Sequence, residues 1–415
     1  MAKWWAVNEF ERTLCKDSYK LIKQEKLMAT LNLRRFSKPE MLRKIDRSHL
    51  ITFFEPYTEY LSGRGIELPS AAAENGLDYT VMSNVLLNPN TSTPPEMSEA
   101  LYYINEMSTP EGFDLIQEAI ADTEIDVSIS EDAAYGDLAL QVWVQDRNII
   151  ERLHAEQFLF RPRSFEYFKC TRETIPDFEE PSEETTAALE ADLDEWFAKK
   201  RRGRASKVFI YVKEDYVWFL VRHGEPFTRE SIIKDGESKS LFYRPEKYDV
   251  LVYSPENGEI RMNARSKGEK ELYRTKFGLH LFDDSEFFDG KSKFTLEPLR
   301  EAGSSSVLCD DVEGIDWVRL KEFQIFRGGT HKEIEIRKAE DIFASLEERD
   351  RTIPNGGRLS KASFQIKFSD SKTPRTVTLS SGNRAQFKRD DDAEILEEWL
   401  IRRGFIIVDS EDDGE

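Results

Sequence analysis

Two pairs of short, aromatic-rich runs lie between Val208 and Asn263, and they constrain this chain more than any other stretch. Val208 to Val212 and Tyr216 to Arg222 flank Lys213-Glu214-Asp215; Tyr248 to Tyr253 and Glu259 to Asn263 flank Glu256-Asn257-Gly258. Runs of β-branched and aromatic residues joined by so short a connection form hairpins, and Asn-Gly supplies the positive φ angles of a tight turn. The centre of the chain is therefore expected to be a β-rich region built from two hairpins. A helix over 267–277 should follow, burying Leu272, Tyr273 and Phe277, and then an acidic loop with Asp283, Asp284, Glu286 and Asp289.

The flanks read differently. Before the hairpins the pattern is helical: Trp4, Trp5, Val7, Phe10, Leu14, Leu21 and Ile22 recur near helical spacing. Ser37-Lys38-Pro39-Glu40 resembles a helix start, and a helix from Ser48 carries Leu50, Ile51, Phe53, Phe54, Tyr57 and Leu61 up to Gly63 and Gly65. Helices are expected at 95–107 and 110–121, a short strand at 126–129, and one or two helices over 135–160. Pro176, Pro181 and a run of Glu mark a linker over 173–185. The helix expected at 186–200 has one apolar stripe, Leu189, Leu193, Trp196 and Phe197. After the hairpins, strands are expected at 317–326, 332–337, 361–368 and 375–380. A helix over 391–403 ends at Gly404, and a strand over 405–408 follows, an order compatible with a winged-helix edge. The fold class is thus α+β and multidomain: a helical domain over 1–172, an antiparallel β-rich domain over 186–290, an α+β domain over 291–408, and an acidic tail over 409–415.

Size and composition agree with several cores. The chain has 415 residues, 39% of them hydrophobic, and two or three domains is the expectation for that length. A formal net charge of −20 argues against a general nucleic-acid coat protein, because affinity there comes from neutralising phosphates, but it leaves room for a local basic groove. Cys15, Cys170 and Cys309 are odd in number and far apart, which argues against a disulfide framework and a cysteine zinc site. The first residues lack a signal-peptide apolar core, and no uncharged apolar run spans a bilayer, so a cytosolic location without membrane contact is expected.

Two basic clusters stand out. Arg161, Arg163 and Lys169 interleave with Phe165, Tyr167 and Phe168, a pattern that suits single-stranded nucleic acid but is more simply an alternating strand with its aromatics in the core. Lys199, Lys200, Arg201, Arg202, Gly203 and Arg204 follow the 186–200 helix. Two lysines complement the helix dipole, and the arginines exceed what a cap needs, which makes them candidates for phosphate binding.

Catalytic constellations are sparse. Leu220-Val221-Arg222-His223-Gly224-Glu225 resembles the signature of the histidine phosphatase (phosphoglycerate mutase-like) family. That resemblance implies His223 as nucleophile, Arg222 as phosphate ligand and a second histidine, His280 or His331, completing the cradle. Read as a strand end, the same string simply opens a turn. Asp249 with Glu259-Ile260-Arg261 resembles the carboxylate pair of restriction-endonuclease-like nucleases, which would bring Mg²⁺ as cofactor; Arg261 stands at the lysine position, and Gln365-Ile366-Lys367 is a weaker match. No phosphate loop, dinucleotide fingerprint, zinc-protease or nucleophile-elbow motif occurs. The expectation is a non-catalytic binding or regulatory protein without a cofactor, of a bacterial multi-protein defence or nucleic-acid-handling system. It would use a protein partner and present Arg161, Arg163, Lys199 to Arg204 and Arg222 to nucleic acid.

Overall fold

Short polar residues set the helix starts of the N-terminal part. Asp46 accepts from the Ser48 amide (2.7 Å), Asp78 from Thr80 and Val81 (2.9 and 3.0 Å), and Thr109 from Gly112 (3.0 Å), each filling an orphan donor of a first turn. The helices so opened are α1 (Arg47–Phe54), α2 (Tyr79–Leu87) and α4 (Pro110–Ile120); α3 (Pro95–Met107), α5 (Tyr135–Gln145) and α6 (Arg147–Glu156) complete the main set. The computed structural model describes residues 32–407 apart from 70–75, 122, 131, 173, 214, 235, 291 and 388–391. The helical pattern expected over Trp4 to Ile22 and the acidic tail over 409–415 lie outside the described residues. Contacts divide the chain into two units, Met1–Ala155 and Glu156–Glu415. The first is a helical unit whose hydrophobic core gathers around Leu42, Leu50, Phe54, Leu61, Met82, Ile104, Ile116 and Leu138.

The strand expected at 126–129 does not form. Its backbone is instead satisfied by amide side chains of α5: Gln141 accepts from the Ser128 amide and donates to its carbonyl (2.9 and 3.0 Å), and Gln145 does the same for Asp126 (3.3 and 2.7 Å). Two glutamines one helical turn apart thus stand in for a neighbouring strand.

The second unit is organised by one antiparallel sheet of ten strands. The strands are β1 (Ser164–Lys169), β2 (Lys207–Lys213), β3 (Tyr216–Gly224), β4 (Thr228–Lys234), β5 (Glu237–Tyr243), β6 (Glu246–Ser254), β7 (Glu259–Asn263), β8 (Ile315–Gly328), β9 (Glu333–Lys338), β10 (Arg358–Phe368), β11 (Arg375–Ser380) and β12 (Arg384–Gln386). Their order is β2-β3-β6-β7-β1-β12-β11-β10-β8-β9, with β4 and β5 forming a separate two-stranded ribbon. Both expected hairpins are present, as β2–β3 and β6–β7. Helices α7 (Glu183–Lys199) and α8 (Lys267–Phe282) cover one face of this half-sheet, burying Leu189, Leu193 and Phe197 of α7 and Leu272, Tyr273 and Phe277 of α8 against Phe219, Val221, Leu251, Tyr253 and Ile260. Lys276 and His280 of α8 both reach Asp192 of α7 (2.8 and 2.9 Å).

Residues 186–290 and 291–408 were expected as separate domains, whereas here they share the sheet. The joint is β1, which pairs with β7 on one side and with the three-residue β12 on the other. Its aromatics enter the interior on both faces: Phe165, Tyr167 and Phe168 are all buried, so the first basic–aromatic pattern is that of a central strand. Near the C-terminus, α9 (Ala393–Arg402) ends before Gly404, whose φ is 70°, and of the strand expected over 405–408 the described residues form a bridge between Ile406 and Phe294. No helix of the described residues is long and apolar enough to cross a membrane.

Candidate nucleic-acid interface

The end of α7 decides where the basic cluster goes. The Arg201 amide bonds the Ala198 carbonyl (2.9 Å) and the Arg202 amide the Phe197 carbonyl (2.9 Å), the paired bonds of a Schellman motif. The residue after the cap must then take a left-handed backbone, and Arg201 does so with φ 62° where glycine is usual. The chain reverses there, and the cations part company. Lys199 pairs with Glu195 (2.7 Å), the Lys200 ammonium lies over the Trp196 ring (5.5 Å), and Arg202 turns inward to Glu269 (2.5 Å). Arg201 and Arg204 point outward and make no ion pair among the described residues.

Those two arginines line a cleft of about 660 Å³ together with Ala198, Gly203, Pro226, Phe227 and Arg244. Arg244 holds the cleft together: one guanidinium nitrogen donates to the carbonyls of Arg201 (2.5 Å) and Glu225 (3.0 Å), and the group sits 5.8 Å from the centre of the Phe227 ring. The cleft thus offers three guanidinium groups and an exposed aromatic ring, with no acid among its described lining residues. That combination binds phosphate and stacks planar groups.

Inward of the same loop lies a buried ion network. Residues directly opposite on β3 and β6 pair Val221 with Asp249 and His223 with Lys247, so these four share the helix-covered face, beyond Phe219 and Leu251. Asp249 accepts from the Tyr273 hydroxyl (2.8 Å), faces His223 Nε2 (3.1 Å), and meets the Lys247 ammonium (2.9 Å) with its other oxygen. Glu269 takes Arg202 and Lys247 (3.6 Å) on Oε1 and the Ser266 amide (2.6 Å) on Oε2, the last as half of a capping box that starts α8. His223 is stacked 4.2 Å from Phe197, and its Nδ1 lies 3.0 Å from the Gly224 carbonyl oxygen. Burial alone would raise the Glu269 carboxyl; Arg202, the Lys247 charge and Ser266 outweigh it and hold it down to about 2. Burial first and the Asp249 charge second push the Tyr273 hydroxyl well above its ordinary value, which keeps it a donor.

His223, Asp249 and Glu269 place one ligand atom each within 4.8 Å of one another and are the set of described residues that could hold a metal ion. Their carboxylate oxygens are already engaged by Lys247 and Arg202, whose positive charges stand where a bridging cation would. A divalent ion would have to displace both, so the residues present fit an internal salt network better than a metal centre.

The remaining sequence candidates fall elsewhere. Arg222 projects from the face opposite His223 and lies 3.8 Å from Glu246, so the two do not form a phosphate cradle; His280 is held by Asp192, and His331 is exposed beyond the end of β8. Glu259 is paired across β6 with Ser254, on the face opposite Asp249 and five residues along, about 17 Å away. It binds Lys293 (2.5 Å), so the expected nuclease carboxylates are not brought together. Arg261 is packed 5.0 Å from the centre of the Tyr216 ring and 3.7 Å from Glu397. The Arg161 guanidinium lies 4.0 Å from the centre of the Phe158 ring, and Arg163 lines a different, smaller cavity with Arg375, Thr378 and Gln386. Phe227 and Arg244 were missing from the sequence reading, although Asp235-Gly236, a strong hairpin signal, marks the ribbon they flank. The buried network was missed as well; the Ser266-Lys267-Gly268-Glu269 capping pattern is the signal that could have placed Glu269 at the start of α8. No protein-family model and no curated protein matches this chain.

Proposed function

We propose that this protein is a non-catalytic nucleic-acid-binding module that grips phosphates with Arg201, Arg204 and Arg244 in the cleft at the end of α7. The observation that carries this reading is Arg201 itself. A left-handed position that glycine fills at lower cost is occupied by an arginine whose charge no acid among the described residues uses. The rest of the lining supports it: a second outward arginine, a third fixed over Phe227, and no carboxylate. The net charge of −20 confines favourable contact with a polyanion to this locality and sets a strong dependence on ionic strength. The non-catalytic part of the reading rests on the sealing of His223, Asp249 and Glu269, each at 1% exposure or less, with their partners in place.

Arg201→Gly separates function from folding. It removes the cation and relieves the left-handed backbone, so the variant should be at least as stable as the parent in urea while binding nucleic acid less well. With Arg204→Ala added, the slope of log Kobs against log salt should flatten by about 1.4 on a single strand or about 1.8 on a duplex, the contribution of two phosphate contacts. An unchanged slope in the double variant would reject the cleft as the binding site.

A further inference from the structure

The β4–β5 ribbon that brings Phe227 and Arg244 into the cleft has two faces of different chemistry. Residues directly opposite in an antiparallel pair share a face. One face pairs Arg229 with Phe242, Ser231 with Ser240 and Ile233 with Ser238, and Phe227 and Arg244 continue it at the ribbon base. Every one of these residues is exposed, and none is acidic. The other face pairs Glu230 with Leu241 and Lys234 with Glu237, and Thr228, Glu230, Ile232 and Tyr243 on it are partly covered. The ribbon's described acids therefore sit together on one side, and its arginines, serines and phenylalanines on the other.

The two rings lie at 14° to each other, with centroids 6.4 Å apart, and are 64% and 56% exposed for Phe227 and Phe242. Arg229 stands directly across from Phe242, and Arg244 sits over Phe227. Alternating cations and flat rings on an exposed surface with no acid among its described residues match a ligand that presents phosphates and naked base faces together. A duplex hides its base faces by stacking; a single strand does not. We infer that this ribbon face is a track for single-stranded nucleic acid, continuous with the cleft, with bases stacking on Phe227 and Phe242 and phosphates meeting Arg229 and Arg244. The inference rests on the cleft being a phosphate site and adds the class of strand it takes.

The test is fluorescence anisotropy of the full chain with a labelled mixed-sequence oligonucleotide, single-stranded and as its duplex, over a salt series. The single strand should bind at least about tenfold more tightly than the duplex. Phe242→Leu should weaken the single strand on the order of tenfold, leaving duplex binding and the salt slope unchanged; Phe227→Leu should weaken the single strand by a similar factor, while Phe227→Trp retains binding. Arg229→Ala should instead flatten the single-strand slope by about 0.7. All three substituted positions are exposed, and unchanged circular dichroism verifies folding. Equal affinity for duplex and single strand overturns the track. So do leucine variants that bind like the parent while the Arg201→Gly, Arg204→Ala variant is weakened; the cleft then stands, and the phenylalanines serve a protein contact. A parent chain that binds neither form removes the cleft and the track together.

Discussion

The buried ion network and the cleft draw on one short stretch, Lys199 to Arg204, and use its cations in opposite ways. Arg202 is 15% exposed at its side chain and saturated by a carboxylate that is fully buried. Arg201, its neighbour, is exposed and has no acid to answer it among the described residues. Charge alone does not distinguish them; the helix-ending motif does, because reversing the chain at Arg201 sends consecutive side chains to different sides. The two regions also respond differently to solvent. A buried pair is little screened and costly to break from one side, whereas an exposed arginine contributes to binding through counterion release and little to stability.

The comparison can be broken first by removing an inward partner. Glu269→Ala leaves Arg202 and Lys247 without their shared carboxylate, and should cost about 3–5 kcal/mol in urea denaturation. The outward Arg201→Gly should cost nothing in the same measurement. Similar effects for the two variants would show that the inward and outward cations are not different in kind.

Acid should reveal the same division. The Glu269 carboxyl is lowered on folding from an ordinary 4.5 to about 2, so its contribution is complete above pH 4.5 and is lost as the pH falls toward 2. That contribution amounts to about 3 kcal/mol. Glu269→Gln should remove this part of the acid sensitivity, seen as a flatter stability profile between those limits. A profile parallel to the parent's would mean that the network does not hold the carboxyl down.

The smallest expected effect joins the two regions. A side chain at Gly224 would collide with the Arg202 carbonyl oxygen and with the Arg244 side chain. Gly224→Ala should therefore cost about 1–3 kcal/mol and weaken nucleic-acid binding at the same time, since it displaces both the loop that carries Arg201 and Arg204 and the Arg244 side chain. Loss of stability with unchanged affinity would show that the cleft does not depend on that packing.

What the sequence disclosed follows from how local each signal is. The two hairpins were legible because aromatic alternation and Asn257-Gly258 act within a few residues. Helix α8 was legible from Leu272, Tyr273 and Phe277, although it runs on to Phe282. The inward turn of Arg202 was not, since its partner Glu269 is distant in sequence and meets it only when α7 and α8 pack on the sheet. The ribbon was missed for another reason. It buries little, so its strands lack the apolar alternation by which a half-buried strand is recognised, and only Asp235-Gly236 announces it. The joint between β1 and β12 was invisible because a three-residue strand carries almost no pattern of its own.

That joint bears on how the chain is made. A ribosome delivers β1 early and its first neighbour, β7, soon afterwards, but the other edge of β1 has no partner until Arg384 to Gln386 emerge. Throughout that interval a strand rich in phenylalanine and tyrosine presents open hydrogen-bonding groups, the form most prone to mispairing with another chain. Three residues close this gap, and they form the sheet's last strand in sequence order, so a chain that has not yet reached them exposes what the folded one hides. The central strand of the folded sheet is thus, from the emergence of β7 until that of β12, an edge of the kind that mispairs.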